Sequence, residues 1–303
     1  MVEDIKLKNL TTGAVLELSS TSTPYFILDA CLWGAIESQR YEYKYINQIG
    51  VQITNTTLET RDIEITGWIV AEEPLLMTRR KQILNRFVSP LQTIRLYYKD
   101  KYIDFVPDKT ISYGTGIEDN NEVISHFQIT GIAPDPRFRD AAEQNVLKGS
   151  YMKTFMFPLI FTDENEYGGV VFGTKNSSGL LFNIHVDGDL PIGMKIRFRS
   201  LTGEVTNPVI TNVANQTYVK INKTLAEDEE VIINTNVSYK SIEGKLASES
   251  EYSNYFQYRD INSAWLQLEP GDNIFIYGAD TNVDNLEVVI NYNNAWLEVQ
   301  EWD

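Results

Sequence analysis

The sequence predicts a mostly β protein of two domains with a single helix. Three observations carry that prediction. The 303 residues leave room for two domains of about 150 residues, each large enough to bury about 70% of its surface without covalent staples. Aromatic residues reach 12%, with 17 Tyr and 13 Phe against only 18 Gly and 10 Pro, which suits pleated surfaces and interfaces better than a helical bundle. Period-two alternation of apolar and polar residues recurs along the chain, whereas helical spacing holds convincingly once.

The first half opens on a hairpin. Ile5 and Leu7 alternate with charged residues, Leu16 and Leu18 flank Glu17, and Thr11-Thr12-Gly13 lies between as the turn. Tyr25-Phe26-Ile27-Leu28 is a continuous apolar run and reads as a buried strand. Residues 39–56 read as an exposed two-sided hairpin broken at Gly50, with Tyr41, Tyr43 and Tyr45 alternating with charged residues on one strand face. That stripe suits cross-strand packing and subunit contact equally. Residues 60–69 alternate strongly and feed the helix, expected over 74–89. Pro74 occupies its first turn, and Leu76, Ile83, Leu84 and Phe87 recur at helical spacing before Pro90. Arg79, Lys81 and Arg86 fall off the apolar stripe, and Arg80 lies along it. The basic cluster suits either a solvated face or a contact with an acidic neighbour. Strands follow over 93–98, 101–107 and 122–131.

Ala133-Pro134-Asp135-Pro136 interrupts regular structure because proline removes donors and restricts its neighbours. The expected division is a first domain at 1–133, a linker at 134–150 and a second domain at 151–303. In the second half, short strands are expected at 180–186, 194–199, 208–213, 217–221, 230–234, 238–242, 272–277 and 286–291, with Gly, Asn and Asp between them. Such spacing describes an antiparallel sandwich.

The composition narrows function. Lys+Arg total 26 against 42 Asp+Glu, a net charge of −16. Most of that surface repels a phosphate backbone, so nucleic acid is not an expected partner. No apolar run reaches the roughly 20 residues of a membrane span, and Met-Val-Glu-Asp lacks the features of a secretion signal. A membrane partner is therefore not expected, and synthesis in a cytoplasm is. Cys31, the only cysteine, excludes an intrachain disulfide and reads as a small buried hydrophobe.

Reactive clusters are missing. His126 and His185 are the only histidines and sit in alternating strands, where packing is the expected role. Gly168 and Gly173 have phosphate-loop spacing, but Thr174-Lys175-Asn176 follows in place of Lys and Ser/Thr. The acids at 118–119, 163–166 and 227–230, and the run 280–285, which lacks the central Gly and closing Glu of an EF-hand, read as solvated turns. No catalytic residue, metal or cofactor is expected, and the chain is not expected to be an enzyme.

The order of these features resembles the phage distal tail proteins of long, non-contractile tails. The likeness rests on the initial hairpin, the exposed hairpin at 39–56, Leu58-Glu59-Thr60-Arg61-Asp62-Ile63-Glu64-Ile65-Thr66-Gly67, the single helix, Ala133-Pro134-Asp135-Pro136-Arg137-Phe138 and Trp265-Leu266-Gln267-Leu268-Glu269-Pro270-Gly271-Asp272-Asn273. It covers most of the chain in layout through short motifs. The resemblance implies a mostly β fold: an N-terminal β-sandwich with one α-helix, plus a C-terminal galectin-like antiparallel β-sandwich. It also implies a homo-hexamer ring in the tail tip of the virion. That ring joins the tail tube protein to the tail-associated lysin or fibre and to receptor-binding protein, which makes Tyr41, Tyr43, Tyr45, Arg79, Arg80 and Arg86 subunit-interface candidates. An alternative is a carbohydrate-binding adhesion module. Its support is thin, because His185-Val186-Asp187-Gly188-Asp189 has Asp at the Asn and Arg positions of the galectin sugar motif, leaving Trp265, Trp296 and Trp302 as stacking candidates.

Overall fold

The computed structural model describes residues 4–20, 25–148, 151–152, 174–175, 180–237 and 239–299. The chain forms two compact units. The first runs to Ala142 and regains the chain at Trp296; the second spans Glu143–Ala295. The segment 134–150, expected as a linker, holds the strand Phe138–Asp140 in the first unit and the strand Gln144–Lys148 in the second.

In the first unit an antiparallel sheet runs in the order Val15–Leu18, Ile5–Asn9, Ile94–Tyr98, Lys101–Pro107, Ile124–Ala133, Arg61–Val70, Phe26–Trp33. Its two ends meet where the Leu28 N–H donates to the Ser19 carbonyl at 3.1 Å, so the sheet curls around one core. Alternation decides which side chains enter that core. In Arg61–Val70 every second residue is buried, Ile63, Ile65 and Ile69 among them, and Ile124–Ala133 answers with Phe127 and Ile129. Phe127 faces Gly67 across the ladder. A Cβ at Gly67 would lie 2.7 Å from the Phe127 ring and 2.5 Å from the Ile27 carbonyl, so only glycine admits the aromatic there.

The fully buried Arg61 is the charged exception in this pattern. Its guanidinium lies 5.0 Å from the Phe138 ring centroid, pairs with Glu298 at 3.0 Å and donates to the Leu297 carbonyl. The end of the chain thus satisfies a charge introduced more than two hundred residues earlier.

The helix covers Pro74–Phe87, with proline in the first turn, and closes where Val88 turns extended. It ends two residues before the expected 89. Its buried residues are Met77, Leu84 and Phe87, which corrects the predicted stripe: Ile83 is 57% exposed. Met77, Leu84 and Phe87 share one side at i, i+7 and i+10, and Ile83 lies about 100° around the axis from Leu84.

The second unit is an antiparallel sandwich. One sheet runs Gln144–Lys148, Leu286–Tyr292, Lys195–Ser200, Glu230–Asn234, Ser241–Lys245, Ser253–Asn254; the other runs Leu181–Val186, Gly271–Gly278, Val209–Asn212, Tyr218–Lys220. Phe182, Ile184, Ile196, Phe198, Ile210 and Phe275 belong to the single core cluster they enclose. The expected strand at 238–242 is found at Ser241–Lys245, displaced toward the next turn. The Gly168–Gly173 segment, Trp302 and the acids at 163–166 lie outside the described residues.

Candidate functional site

The strands Ser38–Tyr43 and Gln52–Leu58 form a two-stranded antiparallel sheet of their own. They prolong the two long strands Phe26–Trp33 and Arg61–Val70, to which their base is tied by Gly34 N–H donating to Asp62 O at 2.9 Å. Every residue of both strands is exposed, and at about 3.3 Å per residue the hairpin extends for roughly 20 Å. A two-stranded ribbon has little stability alone, and its free edges carry unpaired backbone groups.

The predicted three-tyrosine strand face is corrected in its detail. Tyr41 and Tyr43 are in the strand, but a register shift falls between Tyr41 and Glu42. Tyr45 lies past the strand end and packs edge-on against Tyr43, with ring centroids 4.4 Å apart. The extra residue at the shift, Thr54, is on the opposite strand, and the tyrosine face stops short of Tyr45 because its strand ends at Tyr43.

The tip holds residues that sequence reasoning missed. Ile46 and Ile49 are almost fully exposed. Gln48 N–H donates to Tyr45 O at 3.2 Å and Tyr45 N–H donates to Gln48 Oε1 at 3.1 Å, defining the turn. Asn47 and Gly50 take left-handed conformations, with φ of 65° and 81°. The available signal was two isoleucines in a short loop that has no core to enter.

The helix supplies a second surface. Leu75, Arg79, Gln82, Ile83 and Arg86 are all exposed and share one side of it at i, i+4, i+7, i+8 and i+11. Arg79 and Arg86 make no hydrogen bond or ion pair with the described residues. Arg80 is engaged within the unit: it donates to the Val70 carbonyl, and its guanidinium stacks 3.9 Å from the Tyr25 ring centroid. Lys81 donates to Asn120 Oδ1 at 2.7 Å, and burial lowers its pKa. Among the described residues, no hydrogen bond, ion pair or ring contact joins this surface to the hairpin.

The remaining candidates have local roles. Cys31 is buried in the first core, and burial pushes its thiol up to about 12. His126 packs against Trp68 at 4.8 Å between ring centroids. His185, expected to be packed, is instead exposed, with Nδ1 2.8 Å from Asp272; the hydrogen bond to Asp272 raises its pKa. Asp280 accepts from Asn207 and Lys220. Trp296 donates to Asp140 at 2.7 Å and packs against the first core, so its ring is not a free platform.

The described residues form two antiparallel β units, the first carrying an exposed aromatic ribbon and a helix face of mixed basic and apolar character. Over residues 187–296 the chain matches the family model of the siphovirus-type tail component, C-terminal domain. The resemblance to phage distal tail proteins is thereby borne out, and the solved structures agree in fold. The SPP1 Dit (gp 19.1) protein, described as a paradigm of the hub adsorption apparatus in phages infecting Gram-positive bacteria, is 10% identical, with a TM-score of 0.61 over 96% of this chain and 98% of that one. A chain of the phage P2 baseplate in its activated conformation with Ca is 13% identical, with a TM-score of 0.52 over the same shares. The corresponding structure with Sr scores 0.51 at 13% identity. No curated protein sequence matches the chain.

Proposed function

We propose that this chain is the structural, non-enzymatic hub of a long, non-contractile phage tail tip. Six copies form a ring that joins the tail tube protein to the tail-associated lysin or fibre and to receptor-binding protein. The observation that carries this reading is the hairpin 38–58, whose exposed strands and Ile46–Ile49 tip have no partner among the described residues of the chain. Pairing with a neighbouring copy gives the ribbon the burial it lacks. Contact between two different surfaces of identical subunits closes into a ring when the rotation between neighbours divides a full turn, and the helix face with Arg79, Ile83 and Arg86 is the second surface we assign to it. Arg80, held by Val70 and Tyr25, supports that face from within. The match over 187–296 and the fold shared with a hub protein support the same assignment, and with it a place in the virion.

Mass in solution tests the assembly. Light scattering over a range of concentrations is expected to show a six-copy species or a concentration-dependent approach to one. The double variant Ile46→Asp/Ile49→Asp is expected to remain monomeric at every concentration while unfolding at the wild-type temperature. A wild-type protein that stays monomeric both alone and with tail tube protein, or a double variant that assembles normally, would contradict the role given to the hairpin.

A further inference from the structure

The second unit has a groove that neither its core nor the surfaces above use. It lies beside the strand Ser241–Lys245, where the chain returns through Ser253–Asn254, and encloses about 400 Å³. Ser241 and Glu243, on the less buried side of that strand, line it with Asn254 and the rings of Tyr239, Tyr252 and Phe256.

Several of its polar groups are unspent. The Glu243 carboxylate and the hydroxyls of Ser241 and Tyr239 make no hydrogen bond or ion pair with the described residues. Asn254 uses its Oδ1 to accept from the Phe256 N–H at 2.9 Å, which leaves the amide nitrogen as a donor. The neighbouring groove of about 350 Å³ differs, because its charges are already matched: Arg199 with Asp228 at 2.7 Å, Lys245 with Glu230 at 3.2 Å. The groove of about 690 Å³ on the first unit sets lysines and acids around a single aromatic ring, Tyr97.

The rings beside the groove are exposed, Tyr239 by 64% and Phe256 by 48%, yet several are held in place. Tyr252 donates its hydroxyl to Glu230, and the Lys245 ammonium sits 4.8 Å from its ring centroid. Phe256 packs 6.1 Å from Trp265. Beneath them Gly244 leaves no room for a side chain, since a Cβ there would lie 2.3 Å from the Tyr255 ring. The returning segment is thereby seated close on the strand, and a platform set before binding loses less entropy when it binds.

Flat apolar faces beside unspent donors and acceptors, in a groove of ligand size, match a sugar: its C–H face covers an aromatic ring while its hydroxyls reach the carboxylate and amide. The net charge of −16 disfavours a polyanion. We propose that this groove binds a neutral oligosaccharide, with Phe256 and Tyr239 as stacking platforms and Glu243 and Asn254 as partners of its hydroxyls. The proposal is independent of ring formation.

The test is saturation-transfer NMR on the full chain with defined neutral trisaccharides of glucose, galactose and N-acetylglucosamine, alongside a sulfated counterpart. At least one neutral trisaccharide is expected to bind saturably below about 10 mM, with the sulfated sugar weaker. Phe256→Ala and Glu243→Gln are expected to weaken binding by about tenfold or more, while Leu181→Ala, exposed elsewhere on the same unit, leaves it unchanged. Circular dichroism on each variant separates loss of binding from loss of fold. Absence of saturable binding across the panel, or binding that survives Phe256→Ala, overturns the proposal. Protection of Glu243 from carbodiimide labelling on self-association overturns it in favour of a subunit contact.

Discussion

At the scale of single residues, the packing of the first unit turns on groups whose surroundings leave little choice. Gly67 is the sharpest case. A methyl group there meets the Ile27 carbonyl and the Phe127 ring at once. Gly67→Ala is expected to destabilise the first unit by about 1–3 kcal/mol, read as a lower midpoint in urea with an unchanged slope. Asp135 offers a pH-dependent case. Burial opposes its ionisation, but hydrogen bonds and charge from Arg137 and Arg139 outweigh burial and hold its pKa below 3.8. A depressed carboxylate pKa adds stability that is present above the unfolded-state pKa and lost as pH falls through the folded one. Below about pH 4 the wild type is therefore expected to lose stability more steeply than Asp135→Asn, which is weaker at neutral pH. Denaturant midpoints of the two proteins between pH 7 and pH 2 decide it; parallel curves would remove the Arg137–Asp135–Arg139 cluster from the account.

At the scale of elements, the helix shows how a correct element can carry an incorrect face. Proline in the first turn and apolar residues at helical spacing suffice to predict it, and it forms at Pro74–Phe87. Its inward side is set by the sheet it covers, which selects Met77, Leu84 and Phe87 and leaves Ile83 outside. Met77→Ala is expected to cost about 2–5 kcal/mol, whereas Ile83→Ala is expected to stay within about 0.5 kcal/mol in the monomer. Thermal unfolding at low protein concentration separates them, and equal effects would reverse the assignment of the two faces. The hairpin is the complementary case. Its position and exposure are legible in the alternation of residues 39–56, yet the bulge at Thr54 and the outward Ile46 and Ile49 depend on ribbon twist and turn geometry that period-two reading does not contain.

At the scale of the whole molecule, the return of the chain to the first unit is the feature of greatest consequence. Arg61 is buried without exposure and takes its partners, Glu298 and the Leu297 carbonyl, from the far end of the sequence. Removing one partner of a buried charge leaves that charge uncompensated. A fragment of residues 1–142 is therefore expected to unfold at lower denaturant than the first unit of the full chain, and a peptide of residues 296–303 added in excess is expected to restore part of the difference. Equal midpoints with and without the peptide would show that the return contributes nothing to stability.

The sequence by itself determined the β class, the one α-helix of the described residues, most of the longer strands within a few residues and the exposed hairpin, because each follows from local periodicity and turn chemistry; the strands Phe138–Asp140 and Gln144–Lys148, in the expected linker, did not announce themselves. It also carried the resemblance to distal tail proteins, through the order of those features. Only the tertiary structure decided that Ile83 faces out, that Arg80 is tied to Val70 and Tyr25 rather than presented beside Arg79 and Arg86, and that Trp296 serves the first core. The groove beside Phe256 belongs with these. Its lining residues come from a strand and from the segment that returns to pair with it, so no local pattern contains the concavity. Each of these outcomes depends on which surface a residue meets across the fold, and that partner is set by packing between segments far apart in the chain.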